Sequence, residues 1–405
     1  MENIKKHKLC IIVITLLCSI AIIMFLIWLY HYLRIKNARI EVVLKNNLTA
    51  EFTEEKKVSD FIESINGNII DDYVINTTSL GKKEIKFQFK NDQNIIVPYE
   101  YEIEVIDTVQ PVVWLSNVYQ VTKGSNINLT DKILCGDNQD NKPKCTVEGN
   151  YDLNTVGDYP LLFKAEDKSG NITEKQFVLR VIEPSNTNAP RTTVEPTYTD
   201  FNQAKNQYKT DKTQIGIDVS GWQGEIDFEK IKNAGVEFIM IRVGGTRGTN
   251  GEYFVDKYFK RNIEEANKYG IKAGIYFYSY ANSKESAMKD AKWVIKQIKD
   301  YDIDLPIAFD WEEWAYFNDY NLSFFGLTSM AESFLETIEE AGYEGMLYSS
   351  KSYLENIWLP TKYDIWLAHY TTQTNYQGKY KLWQLCENGK IDGIDGAVDI
   401  NVMYE

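Results

Sequence analysis

The chain has 405 residues and a formal net charge of −14, so it is long enough for roughly two to four domains and too acidic to favour non-specific nucleic-acid binding. It contains three histidines, of which His7 and His31 flank the first apolar segment and only His369 lies farther along the chain. A zinc site with two or three histidine ligands is therefore excluded there, and a serine or cysteine nucleophile has a single histidine to use as its base. Carboxylate chemistry is the main catalytic option that remains.

An apolar segment near the N-terminus, Leu9 to Tyr30, has 22 residues without a charge. A helix of that length spans roughly 33 Å, enough to cross a bilayer, and Trp28 and Tyr30 stand where an aromatic belt would lie. A cleavable signal peptide is the alternative, but the run is too long and no small-x-small cleavage site follows it. We predict a cytoplasmic tail over residues 1–8 and an uncleaved anchor in the lipid bilayer over residues 9–30. Basic residues flank the segment equally, so charge alone does not set its orientation.

Residues 40–183 show the short alternation of apolar and polar residues that is typical of β-strands. The stretch from Leu80 to Asp107 aligns without a gap on the stretch from Val156 to Glu183, an offset of 76 residues. This internal repeat predicts two tandem β-sandwich modules, over residues 40–107 and 108–183. The second repeat has an Asp-Lys-Ser-Gly-Asn turn, and the region resembles the bacterial immunoglobulin-like modules of surface proteins. The first repeat has Asn-Asp-Gln-Asn at that turn instead.

Cys135 and Cys145 bracket a loop that includes Asp137 and Asp140. Outside the membrane the two cysteines are expected to form a disulfide, which the chain-entropy model values at about 3 kcal/mol. Free thiols are the second interpretation. A calcium site at the two aspartates is the third, although their spacing matches no established ligand pattern.

Residues 184–212 contain three prolines among Asn, Thr and Ser, which predicts a linker that lets the last domain move away from the membrane. From Thr213 onward, strand-like and helix-like patterns alternate. The predicted helices cover residues 228–234, 253–269, 283–299 and 325–341. The predicted strands begin near residues 216, 238, 273, 306, 345, 364, 381 and 397. This order predicts an α/β domain over residues 213–405, a short (β/α) barrel with an irregular second half.

Acidic residues follow the strand-like runs of this domain. Residues 306–314 read Pro-Ile-Ala-Phe-Asp-Trp-Glu-Glu-Trp, a buried strand that ends in Asp310 and Glu312. If the strand continued, both carboxyls would lie on one face about 6.6 Å apart along the chain. Paired carboxyls raise one pKa, and glycosidic bond cleavage uses such a pair. Asp218 and Asp399 fall in the first and last strands, so a barrel would bring all four acids to one rim. Two solvated acids at a strand end are the alternative.

These stretches carry a resemblance that covers the whole domain in order. Residues 213–405 resemble the catalytic domain of glycoside hydrolase family 25, the peptidoglycan muramidases also called Chalaropsis-type lysozymes. The matching stretches are Gly216-Ile217-Asp218-Val219-Ser220 with Trp222-Gln223, Gly274-Ile275-Tyr276-Phe277-Tyr278, Asp310-x-Glu312, Trp366-Leu367-Ala368-x-Tyr370, Trp383-Gln384 and Val398-Asp399-Ile400-Asn401.

The resemblance implies Glu312 as the general acid and Asp218, Asp310 and Asp399 as supporting carboxylates. The implied reaction cuts the β-1,4 bond between N-acetylmuramic acid and N-acetylglucosamine in peptidoglycan glycan strands, with no cofactor and no metal. Which carboxylate stabilises the oxocarbenium-like state, and whether the substrate N-acetyl group attacks, stays open. Trp311 departs from the family, which usually has a smaller aliphatic residue at this position.

Aromatic and amide residues on the same strands are candidates for substrate binding. Trp366 and Tyr348 are the favoured sugar contacts, whereas part of the set is expected to be core. Glu313 is expected to be a solvated acid that points away from the pair, and His369 to be structural. The candidate substrate-binding residues are Tyr276, Tyr278, Tyr348, Trp366, Tyr370 and Gln384.

The sequence as a whole predicts a single-pass membrane protein with its C-terminal domains outside the cell, facing the cell wall, because the expected substrate lies there. The β modules would act as spacers, and any partner in a wall-spanning machinery is unidentified. A catalytically silent wall-binding protein, a chitinase-like glycosidase and an adhesin are the alternatives. The four acids argue against the first, and Leu305 and Ala308 replace two acids of the chitinase pattern.

Overall fold

The computed structural model describes residues 2–184, 197–249 and 251–405, with side chains described from Ile14 onward. It divides into two compact units, one that ends at Thr108 and one that runs Val109–Glu405.

The N-terminus forms a long helix, α1 (Glu2–Lys36). Its stretch Ile14–Lys36 has a mean hydropathy of 2.2 and is not buried inside the protein. By length and composition this helix is able to cross a membrane, and a signal sequence has the same properties. The predicted anchor, residues 9–30, lies within α1.

The first β module has one large and one small sheet. Its strands are β1 (Val42–Leu44), β2 (Thr49–Glu51), β3 (Ile62–Ile65), β4 (Gly67–Ile69), β5 (Gly81–Asn91) and β6 (Ile96–Ile106). The large sheet has the order β2-β6-β5-β4, and β1 pairs with β3. Alternate residues of the β5–β6 hairpin face a core in which Phe89 and Ile103 are at most 1% exposed. This alternation is the pattern from which the strands were predicted.

The second β module repeats that topology. Its elements are β7 (Val112–Trp114), β8 (Val118–Thr122), α2 (Leu129–Lys132), β9 (Leu134–Gly136), β10 (Lys144–Glu148), β11 (Gly157–Glu166) and β12 (Ile172–Ile182). The large sheet has the order β10-β11-β12-β8, and β7 pairs with β9. β8 runs parallel to β12 as β2 does to β6, and β11 and β12 begin 76 residues after β5 and β6. The repeat is therefore present in the strands, whereas an immunoglobulin-like classification stays a prediction.

The two hairpins turn in the same way despite their different sequences. The Asn91 N–H donates to the Ile95 carbonyl at 2.9 Å, and the Asp167 N–H donates to the Asn171 carbonyl at 3.1 Å. Asn94 has a φ of 58°, at the position where the second module has Gly170 with a φ of 89°. Asparagine tolerates this left-handed conformation better than most residues, so it replaces the glycine.

The predicted linker is shorter than expected. Its residues 185–196 lie outside the described residues. Beyond them, β13 (Thr199–Asp200) and α3 (Phe201–Tyr208) belong to the C-terminal domain. Asp200 caps the helix by accepting from the Gln203 N–H at 2.9 Å, and Phe201 is fully buried in the domain core. The linker prediction was wrong for residues 199–208, because these residues are mostly polar and only Phe201 and Ala204 on one helix face are buried.

The C-terminal domain is built on a closed barrel of eight strands. Its strands and one side strand are β14 (Thr213–Val219), β15 (Phe238–Thr246), β16 (Tyr253–Val255), β17 (Lys272–Tyr278), β18 (Ile307–Asp310), β19 (Gly345–Ser350), β20 (Asp364–Ala368), β21 (Leu382–Lys390) and β22 (Val398–Tyr404). The barrel order is β14-β15-β17-β18-β19-β20-β21-β22, and β22 pairs with both β21 and β14. β22 is antiparallel to both neighbours, unlike the parallel strands before it. The last strand therefore departs from a regular (β/α) barrel.

Alternate residues of the strands fill two separate layers. Met240, Ala308 and Trp366 pack inside the barrel, whereas Ile239 and Ile241 belong to the larger core between barrel and helices. Because successive strand residues point to opposite faces, one strand serves both layers. This burial on both sides explains the nearly continuous apolar runs in the sequence.

Helices cover the outside of the barrel. They are α4 (Phe228–Ala234), α5 (Phe259–Tyr269), α6 (Lys284–Ile298), α7 (Phe317–Tyr320), α8 (Phe324–Glu340) and α9 (Lys351–Asn356). Asp227, Ser283 and Ser323 cap α4, α6 and α8 with side-chain oxygens. The predicted helix at 253–269 begins later, because residues 253–255 pair with β15 as β16. A side chain at Gly244 would collide with the Phe254 carbonyl, so the glycine permits this pairing.

Cys135 and Cys145 are joined in the structure, and the bond connects β9 to β10. We therefore expect mass analysis of the unreduced full chain to recover peptides that carry these two residues linked, and reduction to separate them. Cys386 is a buried free thiol and serves as the unlinked control. Alkylation of both Cys135 and Cys145 without a reductant would contradict the bond.

Candidate active site

Strand register brings three aspartates to one rim of the barrel. Asp310 is the last residue of β18, and Asp218 is the residue before the end of β14. Because β22 runs antiparallel, its second residue, Asp399, lies at the same rim, paired with Asp218 in the register. Barrels of this kind hold their active sites where the parallel strands end.

One amide side chain connects two of these aspartates. Gln384, on β21, donates from Nε2 to Asp218 Oδ2 at 2.9 Å and to Asp399 Oδ2 at 3.0 Å. Its Oε1 accepts from the hydroxyls of Tyr348 at 3.0 Å and Tyr370 at 3.2 Å. Gln384 is 3% exposed and its amide is fully engaged. It therefore positions the carboxylates, which argues against its predicted contact with substrate.

A second amide, which the sequence reasoning did not select, holds Asp218 from another side. Asn401 Nδ2 donates to Asp218 Oδ2 at 2.7 Å, and Asn401 Oδ1 accepts from Trp366 Nε1 at 2.8 Å. Asn401 lies two residues after Asp399 on β22, so both face the barrel mouth, and this spacing was the available signal. Two amide donors on one oxygen stabilise a carboxylate without a cation.

The Asp218–Asp399 pair divides the charge unequally. Burial and the neighbouring Asp218 charge raise the pKa of Asp399 to about 9. Burial also raises the pKa of Asp218, but hydrogen bonds from Asn401, Gln384 and Asp399 act in the opposite direction. The protonated form is thus favoured for Asp399 near neutral pH, and its hydrogen bond to Asp218 opposes the rise in the pKa of Asp218.

Asp310 is buried without a full set of hydrogen bonds. It is 5% exposed, and its Oδ1 has no hydrogen-bond partner among the described residues. Burial raises its pKa well above the usual range, the charges of Glu312 and Asp218 raise it further, and Arg242 opposes them. Asp310 is therefore held as the neutral acid.

Glu312 lies past the end of its strand, whereas the sequence predicted it on the same strand face as Asp310. β18 stops at Asp310, so the argument from one strand face was wrong. Glu312 nevertheless lies close enough to Asp218 and Asp310 for their charges to interact, and it is exposed, with no hydrogen bond from the described residues. Surrounding protein raises its pKa, and the charges of Asp218 and Glu313 raise it further.

Glu313 is not the solvated acid that was predicted. It is 9% exposed and accepts a hydrogen bond from the Tyr278 hydroxyl at 3.2 Å. Burial raises the pKa of its carboxyl. The prediction failed because it assumed that the strand continued past Asp310. His369, predicted to be structural, makes a 2.8 Å hydrogen bond between its Nδ1 and Thr374 Oγ1.

The candidate sugar contacts differ in exposure. Trp366 is 2% exposed and Tyr348 is 9% exposed, and Tyr276 packs edge-on against Trp366. Burial inside the barrel therefore argues against the favoured stacking roles of Trp366 and Tyr348. Tyr370 is 50% exposed and has a ring free for a ligand.

Trp222, which belongs to one of the matching stretches, is a further candidate sugar contact that the sequence did not predict. It is 86% exposed in the 3-10 turn Gly221–Gln223, directly after β14. Asp256 fixes this turn by accepting the Gly221 N–H at 2.8 Å, and Arg242 forms an ion pair with Asp256 at 2.6 Å. An exposed tryptophan on a fixed turn beside Asp218 is a better stacking platform than the buried rings.

The raised pKa of Asp399 predicts a pH dependence of stability. Between about pH 4 and pH 9 the folded state keeps a proton that the unfolded state has lost, so the free energy of unfolding falls as pH rises. Asp399→Asn removes this titration, and the decline of the melting temperature with pH should become shallower. Thermal unfolding of the full chain, followed by near-UV circular dichroism, measures this.

Asp395→Asn is the matched control, because Asp395 is an exposed aspartate four residues away. Its melting curve should keep the wild-type slope. An Asp399→Asn variant with an unchanged slope would show that Asp399 is ionised in the folded protein.

Comparison with known proteins gives this domain a family. The model described as Glycosyl hydrolases family 25 matches residues 217–394. YegX, an uncharacterized protein of Escherichia coli strain K12, is 29% identical over 192 residues, which are 46% of this chain and 68% of the relative. The autolytic lysozyme of Clostridium acetobutylicum is 26% identical over 193 residues, which are 47% of this chain and 56% of the relative.

Among solved structures, the modular autolysin LytC from Streptococcus pneumoniae, in complex with a synthetic peptidoglycan ligand, is 27% identical. The match covers 60% of this chain and 56% of that chain, with a TM-score of 0.44. This chain therefore spans little more than half the length of the autolytic lysozyme and of LytC. The match identifies residues 217–394, which carry Asp218, Asp310 and Glu312, as a glycosyl hydrolases family 25 domain within the chain.

Proposed function

We propose that the chain is a membrane-anchored peptidoglycan hydrolase that cuts the β-1,4 bond between N-acetylmuramic acid and N-acetylglucosamine. Family membership and a relative named autolytic lysozyme support lysozyme-type activity on peptidoglycan. The observation that carries the proposal is that Asp218, Asp310 and Asp399 lie at one barrel rim with Glu312 beside them, where burial raises the pKa of each carboxyl but hydrogen bonds oppose the rise for Asp218. Glycoside hydrolysis needs such a difference between neighbouring acids.

Glu312 is the general acid. It is the exposed member of the cluster and receives no hydrogen bond from the described residues, so a leaving oxygen is able to approach it. The raised pKa of its carboxyl keeps a larger fraction protonated near neutral pH. Proton transfer to the glycosidic oxygen then makes the sugar a better leaving group.

Asp218, Asp310 and Asp399 support that transfer. Asp218 receives hydrogen bonds that favour its ionised form, so it supplies the negative charge for an oxocarbenium-like state. The protonated carboxyl of Asp399 donates a hydrogen bond to Asp218. The neutral form of Asp310 avoids further charge repulsion in the cluster. Whether the substrate N-acetyl group attacks is open, and the anomeric configuration of the product would decide it.

The N-terminal helix and the two β modules are proposed to hold the C-terminal domain near the cell wall. α1 is proposed to be the uncleaved single-pass anchor, with the C-terminal domains outside the cell membrane and facing the wall. The two β modules are proposed to be immunoglobulin-like sandwiches, on the basis of their shared strand order and 76-residue repeat.

Glu312→Gln should lower the turnover of purified peptidoglycan by about 10²- to 10⁴-fold, because the amide has no acidic proton to transfer to the glycosidic oxygen. The full chain in detergent is incubated with the substrate, and mass spectrometry identifies the released fragments. Wild type should release fragments with N-acetylmuramic acid at the reducing end.

Glu336→Gln is the control, since Glu336 is exposed on α8, and it should keep wild-type turnover. A Glu312→Gln variant with near-normal turnover would refute the assignment of the acid. Wild type that binds wall without releasing fragments would indicate a silent wall-binding protein, and release from chitin alone would indicate a chitinase.

The proposed anchor predicts that the protein sediments with membranes at full length. Cell fractionation with an antibody against the C-terminus, together with the mass of the recovered chain, measures this. Deletion of residues 2–36 should move the protein to the soluble fraction, because α1 supplies the long apolar helix. Recovery of a shortened soluble wild-type form would instead show cleavage of a signal peptide.

A further inference from the structure

Glu312 lies on a stretch that the barrel sheet does not hold. After β18 ends at Asp310, residues 311–325, here called the acid segment, run outside the sheet as a loop, a 3-10 turn at Trp314–Tyr316, α7 and the start of α8. A general acid works only within hydrogen-bond reach of the oxygen that it protonates. The position of the acid segment must therefore be fixed by something other than strand pairing.

One side chain of the acid segment is saturated by the second β module. Asn318 Nδ2 donates to the carbonyls of Thr130 at 3.0 Å and Ile133 at 2.8 Å. Its Oδ1 accepts from the Cys135 N–H at 3.1 Å. Three hydrogen bonds from one amide to the backbone of another module fix both the position and the orientation of α7.

The end of the acid segment is held in the same way. The N–H groups of Phe324 and Phe325, at the start of α8, donate to the carbonyls of Asp137 at 2.8 Å and Asn138 at 3.1 Å. These N–H groups have no partner within their own helix, so the second module completes the helix terminus. Gly136 lies between the rings of Phe317 and Phe324, where an added Cβ would come within 2.7 Å of both.

Aromatic rings continue the contact toward Glu312. Trp114 on β7 stacks on Tyr353 at 4.9 Å, and Tyr353 stacks on Trp314 at 3.9 Å. Trp314 meets the edge of Trp311 at 4.9 Å. Trp311 is fully buried and donates from Nε1 to the Ala281 carbonyl at 3.0 Å. The residue that departs from the family pattern thus joins this ring contact to the barrel, directly before Glu312.

A disulfide stabilises the residues of the second module that contact the acid segment. They lie on α2, β9 and the turn that follows, and the Cys135–Cys145 bond ties β9 to β10 in the large sheet. Among the described residues, β9 pairs with one strand, β7, and the bond adds a covalent link from β9 to the large sheet. The disulfide therefore stabilises the surface that holds the acid segment.

From these contacts we propose that the second β module is a working part of the catalytic unit, and that Asn318 is a positioning residue for Glu312. The inference rests on the proposed function, since it concerns the same general acid. It changes the role of the module from a spacer to a support for the active site. A displacement of about 1 Å in such a group is enough to lower turnover about 10²-fold.

Asn318→Ala tests the proposal in the full chain. Turnover of peptidoglycan should fall about 10- to 100-fold while KM changes little, because the variant leaves the candidate sugar contacts in place and misplaces only the acid. Asn267→Ala is the matched control, since Asn267 also donates from its side chain to a backbone carbonyl, that of Asp302 at 3.0 Å, but away from the acid segment. It should keep wild-type kcat and KM.

A folded Asn318→Ala variant with wild-type kcat would overturn the proposal. If this variant does not fold, Trp114→Leu replaces it, because Trp114 is 37% exposed and its loss removes the stack on Tyr353. Trp114→Leu should lower kcat severalfold at constant KM, and an unchanged kcat would overturn the proposal in turn.

Reduction of the disulfide gives an independent measurement. A reductant should lower the kcat of wild type, whereas the double variant Cys135→Ser with Cys145→Ser should start from a lowered kcat and not respond. Equal kcat in reduced and oxidised wild type would contradict the bracing role of the bond. If wild type itself releases no muropeptide, the proposed function fails, whereas an active wild type with an equally active Asn318→Ala variant refutes only the positioning role.

Discussion

The carboxylate cluster depends on a hydrogen-bonded amide at the point where the barrel closes. β22 returns antiparallel between β21 and β14, and this places Asp399 opposite Asp218. Two carboxylates on paired strand positions would repel each other if both were ionised. Gln384 donates to both of them and accepts from two tyrosine hydroxyls, and the Asp218 charge raises the pKa of Asp399, which favours one proton on the pair. The charge of Asp218 also adds to the effect of burial in raising the pKa values of Asp310 and Glu312.

The same rim shows why a barrel alone is an incomplete enzyme here. Strand pairing fixes Asp218, Asp310 and Asp399, but Glu312 lies past the end of β18. The second β module supplies the missing support through hydrogen bonds to Asn318 and the start of α8. A spacer would need only to be long and stable. With Glu312 as the proposed acid, the contacts to the acid segment instead predict that the module and its disulfide affect turnover.

Local patterns in the sequence were sufficient for much of the fold. The helix at 228–234 was predicted with its observed bounds, because an aspartate cap and a final glycine mark both ends. The 76-residue repeat predicted the hairpins, since alternation of apolar residues is a property of the chain itself. The acids Asp218, Asp310 and Asp399 were found because they follow or occupy strand-like runs. Errors arose where burial came from distant residues, as for Glu313, Trp366 and the helix at 201–208.

The sequence by itself determined the family resemblance, the identity of the candidate acids and the alternation of strands and helices, because each depends on residue type and short-range spacing. The tertiary structure decided the direction of β22, the sharing of a proton between Asp218 and Asp399, and the exposure that separates Trp222 from Trp366. It also decided that Asn318 meets the backbone near Cys135, 183 residues earlier in the chain. Such contacts follow from how whole elements pack, and no local pattern encodes that packing.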